Sequence, residues 1–295
     1  MFRHQKELQF EAKPDRPNPL IAKYLQELIG GQYGEMSVAM QYLFQGWSCR
    51  GEEKYKDMLM DIATEELGHV EMLATMVARL LEDAPVEDQE EAMKKDPTIG
   101  AIISGMNPQH AIVAGLGPRP ADSVGNPWSG GYIVASGNLL ADFRANLNAE
   151  SQGRLQVARI YEMIDDRGVK DLLAVLLASD SYHQNLWASA VKELEENEGS
   201  ILVPSTFNRE NERKDIAYDF YNFSEGDESS KGSWASGEAL DGEGEYQWLA
   251  EPKVEGDKPK LQRVTPKMYG TPPSKNKTCK SGCVQHPLGP YHSTE

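Results

Sequence analysis

The feature that most constrains this chain is a pair of ionisable side chains, Glu66 and His69, on the apolar stripe of a long predicted helix. The stripe repeats with the alternating four- and three-residue spacing of a helix that packs in a protein core. Its members are Ile62, Glu66, His69, Leu73, Met76 and Leu80. Buried charges destabilise a fold unless they are paired or bind a metal, so this helix needs charged partners on its neighbours.

Three other predicted helices carry such partners at mid-height of their own stripes. Glu35 and Tyr42 lie seven residues apart and therefore on one face. Glu150 interrupts a later stripe, and Asp180 and His183 interrupt the last one. A single acid-x-x-His, or a lone buried histidine, is more often an accident or an ordinary core residue. Here a carboxylate on one helix followed by acid-x-x-His on the next occurs twice, which is the pattern of dinuclear carboxylate sites in bundle cores.

Four long helical segments dominate the first two thirds of the chain. They are predicted at about 33–49, 52–81, 137–164 and 169–196. Short links make two antiparallel pairs, and a proline-rich crossover at 84–133 joins the pairs. This order predicts an all-α, ferritin-like four-helix bundle with a long crossover over residues 1–204. Residues 205–295 are rich in Gly, Ser, Glu and Pro, which predicts an extended, mostly irregular C-terminal tail.

The composition narrows the range of partners. A net charge of −16 over 295 residues argues against nucleic acid or an anionic membrane surface as partner. The chain has no run of about 18 apolar residues, and its opening segment has no apolar leader region. Three cysteines are too few for the disulfide framework of a small secreted protein. We therefore expect a soluble, cytoplasmic protein.

The types of the candidate ligands indicate the kind of metal. Carboxylates and imidazoles without a thiolate suit manganese or iron better than copper(I) or a structural zinc site. Two adjacent redox metals can share a two-electron change, which is what the cleavage of peroxide without radical release requires. Two alternatives to a peroxide-cleaving manganese protein would have the same fold and similar ligands. They are a diiron peroxidase or oxidase of the ferritin-like kind, and a non-catalytic coat or storage protein.

Longer stretches around these positions resemble the manganese (non-haem) catalase family. They are "GGQYGEMSVAMQYLFQGW", "ADFRANLNAESQGRLQVARIYEMIDD" and the opening "MFRHQKELQFEAKPDRPNP". The resemblance implies disproportionation of hydrogen peroxide at two manganese ions per subunit. It implies that Glu66 bridges the two ions, that Glu35 and His69 complete the site of one, and that Glu150 and His183 complete the other.

The resemblance also implies roles around the metals and an assembly. Tyr42 matches an outer-sphere tyrosine that hydrogen-bonds near the cluster, and the family forms homo-hexamers in which long C-terminal tails wrap neighbouring subunits. The chain departs from the family at Asp180, where glutamate is usual, and at Ala149, where some members have arginine. We expect Asp180 to be a proton acceptor in catalysis rather than a sixth metal ligand. Arg144 and Arg154 are the candidates to supply the missing positive charge.

Two weaker patterns concern other metals. Asp57 and Asp61 lie one helical turn apart, and by themselves they indicate a solvated acidic face. Together with Asn222, Ser224 and Gly226 they resemble a calcium site of the same family, so one calcium ion is a further candidate cofactor. A second group of possible metal ligands lies near the chain end. Its spacing is not that of a standard zinc site, so we expect a chain end without fixed structure rather than a zinc clip. The group consists of Cys279, Cys283, His286 and His292.

Overall fold

The structure, a computed structural model, describes residues 4–82, 105–217, 219–251 and 256–261. The chain divides into two compact units, Met1–Glu212 and Arg213–Glu295. The helices of the first unit are α1 (Pro19–Gly30), α2 (Glu35–Ser48), α3 (Glu53–Leu81), α4 (Pro108–Ile112), α5 (Leu139–Met163) and α6 (Arg167–Glu198). The second unit contains α7 (Lys214–Ala217), β1 (Asp219–Tyr221), β2 (Ser236–Glu238) and β3 (Glu245–Leu249).

The four long helices form the predicted two pairs, with ends that differ from the predicted ends by a few residues. The most extensive packing joins α2 with α3 and α5 with α6, and α1 packs on α3. Local caps set the boundaries. Asp166 accepts a hydrogen bond from the Val169 N–H at the start of α6, and Gly199 ends that helix in the left-handed region at φ 64°.

Two apolar clusters lie on either side of the level where the charged residues interrupt the stripes. One cluster is aliphatic, and we call it the aliphatic core; its members include Leu25, Leu28, Leu73, Met76, Leu80, Val157, Leu172, Leu173 and Leu176. The other contains four large aromatic side chains, and we call it the aromatic core; its members include Tyr42, Tyr55, Leu59, Phe143, Trp187 and Leu194. Along α3, α5 and α6 the charged residues fall between the two clusters, so the site is enclosed from both ends.

The second unit contains a three-stranded sheet that the sequence analysis does not predict. Its strand order is β1-β3-β2, with β1 parallel and β2 antiparallel to β3. Trp248 on β3 pairs with Phe220 on β1, and its indole N–H donates to Ser229 Oγ at 2.9 Å. The buried apolar residues of the described part of this unit are the small Ala235 and Ala239. The sheet therefore has strand pairing without a core of large side chains.

Candidate metal centre

The four helices of the bundle each place at least one ionisable side chain at the same level. Glu35 is the first residue of α2, Glu66 and His69 lie on α3, Glu150 lies on α5, and His183 lies on α6. Glu66, His69 and His183 are completely buried, and the two other carboxylates are also buried. A stripe spacing of three or four residues turns each of these groups inward, so their convergence follows from the helix period.

The Glu66 carboxylate lies at the centre of the group. Its Oε2 lies 2.7 Å from His69 Nδ1, and its Oε1 lies 2.7 Å from His183 Nδ1. Glu35 Oε2 lies 3.7 Å from His69 Nδ1, and Glu150 Oε1 lies 3.7 Å from His183 Nδ1. The result is two nearly symmetric triads that share Glu66, with the ligand atoms of each triad all within 4.8 Å of one another.

The charges in this closed space are strongly coupled. Burial and the neighbouring Glu66 carboxylate raise the pKa of Glu35 and of Glu150 well above the usual range. Burial would also raise the pKa of Glu66, but His69 and His183 outweigh this effect and lower the pKa. Burial would lower the pKa of His69, but Glu66 and Glu35 raise it well above normal. The surroundings thus favour positive charge at the centre of the site.

The site also contains buried polar atoms that its own side chains do not satisfy. Among the described residues, Glu66 Oε1 and His183 Nδ1 have no hydrogen-bond partner, although they lie 2.7 Å from each other. Unsatisfied buried polar atoms are rare in folded proteins and call for an explanation. Carboxylate oxygens and imidazole nitrogens that point at one another are a fitting ligand set for two divalent metal ions.

Glu65 is a functional candidate that the sequence analysis missed. Its Oε2 lies 3.2 Å from His183 Nε2, and its Oε1 lies 3.9 Å from His69 Nε2. Gln9 Nε2 donates to the same carboxylate at 3.1 Å. With Nε2 of both rings facing Glu65, Nδ1 of both rings faces Glu66. Metal-binding histidines usually donate their second N–H to a carboxylate, so a search for an acid four residues before His69 would have found Glu65.

Tyr42 and Ala149 lie on the Glu150 side of the site. The Tyr42 hydroxyl donates to Glu150 Oε1 at 2.5 Å, and this side chain is completely buried. Burial and the Glu150 carboxylate raise the pKa of the Tyr42 phenol well above its usual value, so the phenol keeps its proton. Ala149 is buried and has no charge to offer, so the positive charge expected there must come from elsewhere.

Asp180 is buried at the same level, and one of the two candidate arginines lies near it. Burial and the Glu66 carboxylate raise the pKa of Asp180 to about 7, whereas Arg154 has a smaller, opposite effect. Arg154 Nε donates to Ser181 Oγ at 2.8 Å, beside Asp180 in the sequence. Arg144 instead pairs with Glu195 at 2.6 Å. Arg154 is therefore the better candidate for the missing charge.

The residues predicted to bind calcium fall in the two separate units. Asp57 and Asp61 are exposed on α3, and no third carboxylate or imidazole joins them among the described residues. In the second unit, the Asn222 amide donates to the Gly226 carbonyl at 3.0 Å, and the Ser224 N–H donates to Asn222 Oδ1 at 3.3 Å. The cysteines and histidines considered for a zinc clip lie outside the described residues.

Fold and site together define a class, that of four-helix bundle proteins with two carboxylate–histidine triads around a shared glutamate. The family model described as "Manganese containing catalase" matches residues 1–281. A Bacillus subtilis manganese catalase is 62% identical over 275 residues, which cover 93% of this chain and 100% of that relative. The chain belongs to the manganese-containing catalase family.

More distant relatives agree. A manganese catalase of Lactiplantibacillus plantarum is 43% identical, and the match covers 91% of this chain and 98% of that relative. The solved structure of KatB, a manganese catalase from Anabaena, matches with a TM-score of 0.65 and 30% identity, covering 85% of this chain and 100% of that chain. Membership confirms the predicted fold class, the manganese cofactor and the catalase function.

Proposed function

We propose that Glu35, Glu66, His69, Glu150 and His183 hold two manganese ions at which the chain converts hydrogen peroxide to water and oxygen. The observation that carries the proposal is the position of Glu66, whose two oxygens each face a different histidine at 2.7 Å. A carboxylate placed in this way can bridge two metals. When bound, the manganese pair supplies the two-electron redox change that the disproportionation of peroxide needs.

The chain's own residues bind and orient the ligands around that pair. The Tyr42 hydroxyl fixes Glu150 through its hydrogen bond, and Glu65 orients the His183 imidazole through a hydrogen bond from Nε2. Asp180 is the group that accepts a proton from peroxide and returns it as the O–O bond breaks. The aliphatic and aromatic cores exclude bulk water from both ends, so that charges in the site act in a low dielectric.

The central test compares Glu66→Gln with Glu53→Gln, an exposed position at the start of the same helix. The Glu66 variant keeps the shape of the side chain but loses the charge that both metals share. We expect it to lose most of its manganese, measured by mass spectrometry of the metal, and its oxygen evolution on adding peroxide. The Glu53 variant should behave as the wild type. A Glu66→Gln protein with two manganese ions per chain and full activity would refute the ligand assignment.

Two further variants separate binding from proton transfer. Glu65→Gln should weaken manganese binding about 10–100-fold, since outer partners of metal-binding histidines contribute that much. Asp180→Asn should keep both metals and reduce turnover, by up to the about 10²–10⁴-fold that a general base contributes. If Asp180→Asn instead loses one metal, Asp180 is a ligand, and if its turnover is unchanged, the proton acceptor is another group.

We also propose that the protein is a homo-hexamer in which residues 205–295 wrap neighbouring subunits. The support is that, in the described part of the second unit, the buried apolar residues are Ala235 and Ala239, whereas Phe223, Trp234 and Leu240 are exposed. Such a segment becomes ordered when it packs against the surface of a neighbouring subunit. Truncation after residue 204 should lower the mass measured by light scattering. An unchanged mass and an unchanged melting curve would contradict this assembly.

The calcium proposal joins Asp57 and Asp61 to Asn222, Ser224 and the Gly226 carbonyl in the assembled protein. These are hard oxygen ligands of the kind that calcium prefers. Chelation should loosen the assembly and leave manganese in place, and a calcium-grown crystal with only water between these groups would count against the site.

The cytoplasm is the proposed location. The support is that Cys49 is a free thiol and that no helix in the described ranges is long and apolar enough to cross a membrane. Cell fractionation tests this proposal. Recovery of the protein from the membrane or extracellular fraction would contradict it.

A further inference from the structure

Four aromatic rings form a continuous series that starts beside the metal centre. The ring centroids of Tyr42 and Trp187 lie 4.9 Å apart, and those of Trp187 and Phe143 lie 5.1 Å apart. The centroid of Tyr55 lies 5.8 Å from that of Phe143. Tyr42, Trp187 and Phe143 are completely buried, and Tyr55 is nearly so. A single benzene ring therefore separates the oxidisable Trp187 from the oxidisable Tyr55.

Both tyrosines in the series have a carboxylate as proton acceptor. The Tyr42 hydroxyl donates to Glu150 Oε1 at 2.5 Å. The Tyr55 hydroxyl donates to Glu193 Oε1 at 2.7 Å, and Glu193 in turn pairs with Lys54 at 2.5 Å. The side chains of Lys54 and Glu193 are about half exposed, so this end of the series reaches the protein surface. A phenol loses an electron readily only when its proton has somewhere to go, and both phenols meet that condition.

Trp187 differs from the two tyrosines in this respect. Its indole N–H is buried and has no hydrogen-bond partner among the described residues. An oxidised indole that cannot release its proton stays a cation and a strong oxidant. It would pass the oxidising equivalent on rather than keep it. The series thus has proton acceptors at its two ends and none at its middle, which is the order that forward transfer needs.

We propose that Tyr42, Trp187 and Tyr55, bridged by Phe143, carry single oxidising equivalents from the metal centre to the surface, where a small phenol is oxidised. The relay rests on the proposed metal ligation by Glu150. It is an activity beside disproportionation: each peroxide takes one electron and one proton from each of two phenol molecules and becomes two waters.

The steps balance with one proton released to solvent at the surface end and one taken up from solvent at the metal centre for each electron. Tyr42 gives one electron to the oxidised centre, and its proton passes along the hydrogen bond to Glu150. Trp187 gives an electron to the Tyr42 radical, which regains its proton. Tyr55 then gives an electron to the Trp187 cation and its proton to Glu193. At the surface the phenol gives one electron to the Tyr55 radical, which takes its proton back from Glu193. The phenol releases its own proton to solvent and leaves as a phenoxyl radical, and one proton from solvent enters the metal centre with each electron.

The test uses the manganese-loaded full chain, made with ring-deuterated tyrosine and without it, mixed with peroxide and frozen rapidly. Electron paramagnetic resonance would show a tyrosyl radical, identified by line narrowing on deuteration. Guaiacol oxidation under peroxide is followed in parallel. Tyr55→Phe keeps the ring and Trp187→Phe keeps one aromatic ring at its position, and each removes an oxidisable group. Trp47→Phe changes an exposed tryptophan that lies outside the series.

We expect loss of guaiacol oxidation in Tyr55→Phe and in Trp187→Phe, and no such loss in Trp47→Phe. In Trp187→Phe the oxidising equivalent stays on Tyr42, so a tyrosyl signal remains there while guaiacol oxidation is lost. Manganese content and oxygen evolution are measured on every sample, and oxygen evolution should persist in Tyr55→Phe. Guaiacol oxidation that survives in both variants would overturn the relay. A wild type that evolves oxygen but gives neither signal nor guaiacol oxidation would overturn the relay alone. A wild type without manganese or oxygen evolution would overturn the proposed function together with the relay.

Discussion

The two cores of the bundle are built from the same long helices but differ in chemistry. On one side of the metal centre the large buried side chains are leucine, isoleucine, valine and methionine. On the other side Tyr42, Tyr55, Phe143 and Trp187 fill the space. Both clusters exclude water, so exclusion alone does not explain the choice of aromatic rings at one end. The difference indicates that the aliphatic core serves stability, whereas the aromatic core also links the site to the surface.

The largest effect on stability should come from the aliphatic core. Leu73 is completely buried there, and Leu73→Ala would leave a cavity among close-packed side chains. We expect a loss of about 2–5 kcal/mol in the free energy of unfolding. Urea unfolding followed by circular dichroism measures it, with Leu155→Ala, an exposed leucine on α5, as control. If the two variants were equally stable, this end of the bundle would not be the close-packed one.

The convergence of the ligand candidates could be predicted because it depends on helix period alone. Glu66 and His69 lie on one stripe, and a stripe must face the core. Glu65 could not be found in this way, because one residue corresponds to about 100° of rotation and places it off the stripe. The contact between Glu65 and His183 depends on how two helices pack and on which nitrogen of the ring turns inward. Neither can be predicted from a local sequence pattern.

A smaller effect is expected from a change of shape in the aromatic core. Phe143→Leu removes the ring that contacts both Trp187 and Tyr55. Aromatic pairs contribute about 0.5–1.5 kcal/mol each beyond their buried area, so the loss should be about 1–3 kcal/mol. The matched change in the aliphatic core, Leu173→Met, should cost less than about 1.5 kcal/mol. Equal losses in urea unfolding would remove the distinction between the two cores.

The strands of the second unit could not be predicted from the sequence. Its strands have only three to five residues, and β1 pairs in parallel with β3 across a long connection. Strands this short give too few positions for an alternating pattern to be recognised. The scarcity of large buried residues, in contrast, could be predicted from the many Gly, Ser, Glu and Pro residues in this part of the sequence.

A still smaller effect is expected at the outer end of the aromatic core. Tyr55→Phe keeps the ring and removes one hydrogen bond, from the phenol to Glu193. The expected loss is about 0.5–1.5 kcal/mol in urea unfolding. This small size matters for the relay. If the variant stays folded and still evolves oxygen, a loss of guaiacol oxidation is due to the missing phenol group and not to unfolding. A loss as large as that of Leu73→Ala would mean that Tyr55 serves the packing of this core.

The smallest effect concerns the pH dependence of stability next to the aliphatic core. His110 on α4 is buried, and its Nε2 donates to Gln26 Oε1 on α1 at 3.1 Å, which leaves Nδ1 without a partner among the described residues. Burial, and to a lesser degree Arg119, lower the pKa of His110. As pH falls below the unfolded value of about 6.5, the unfolded chain takes up a proton that folded His110 refuses. The free energy of unfolding should therefore decrease as pH falls from about 6.5 towards the lowered pKa of His110. The stability that neutral His110 contributes is fully present only above about pH 6.5.

His110→Gln keeps a donor towards Gln26 and removes the titration, so its unfolding midpoint in urea should depend less on pH in that window. The exposed His4→Gln is the control, and the histidines of the metal centre are the same in all three proteins. If wild type and His110→Gln lost stability in parallel as pH falls, the proton would be taken up elsewhere and the buried imidazole would have no part in it.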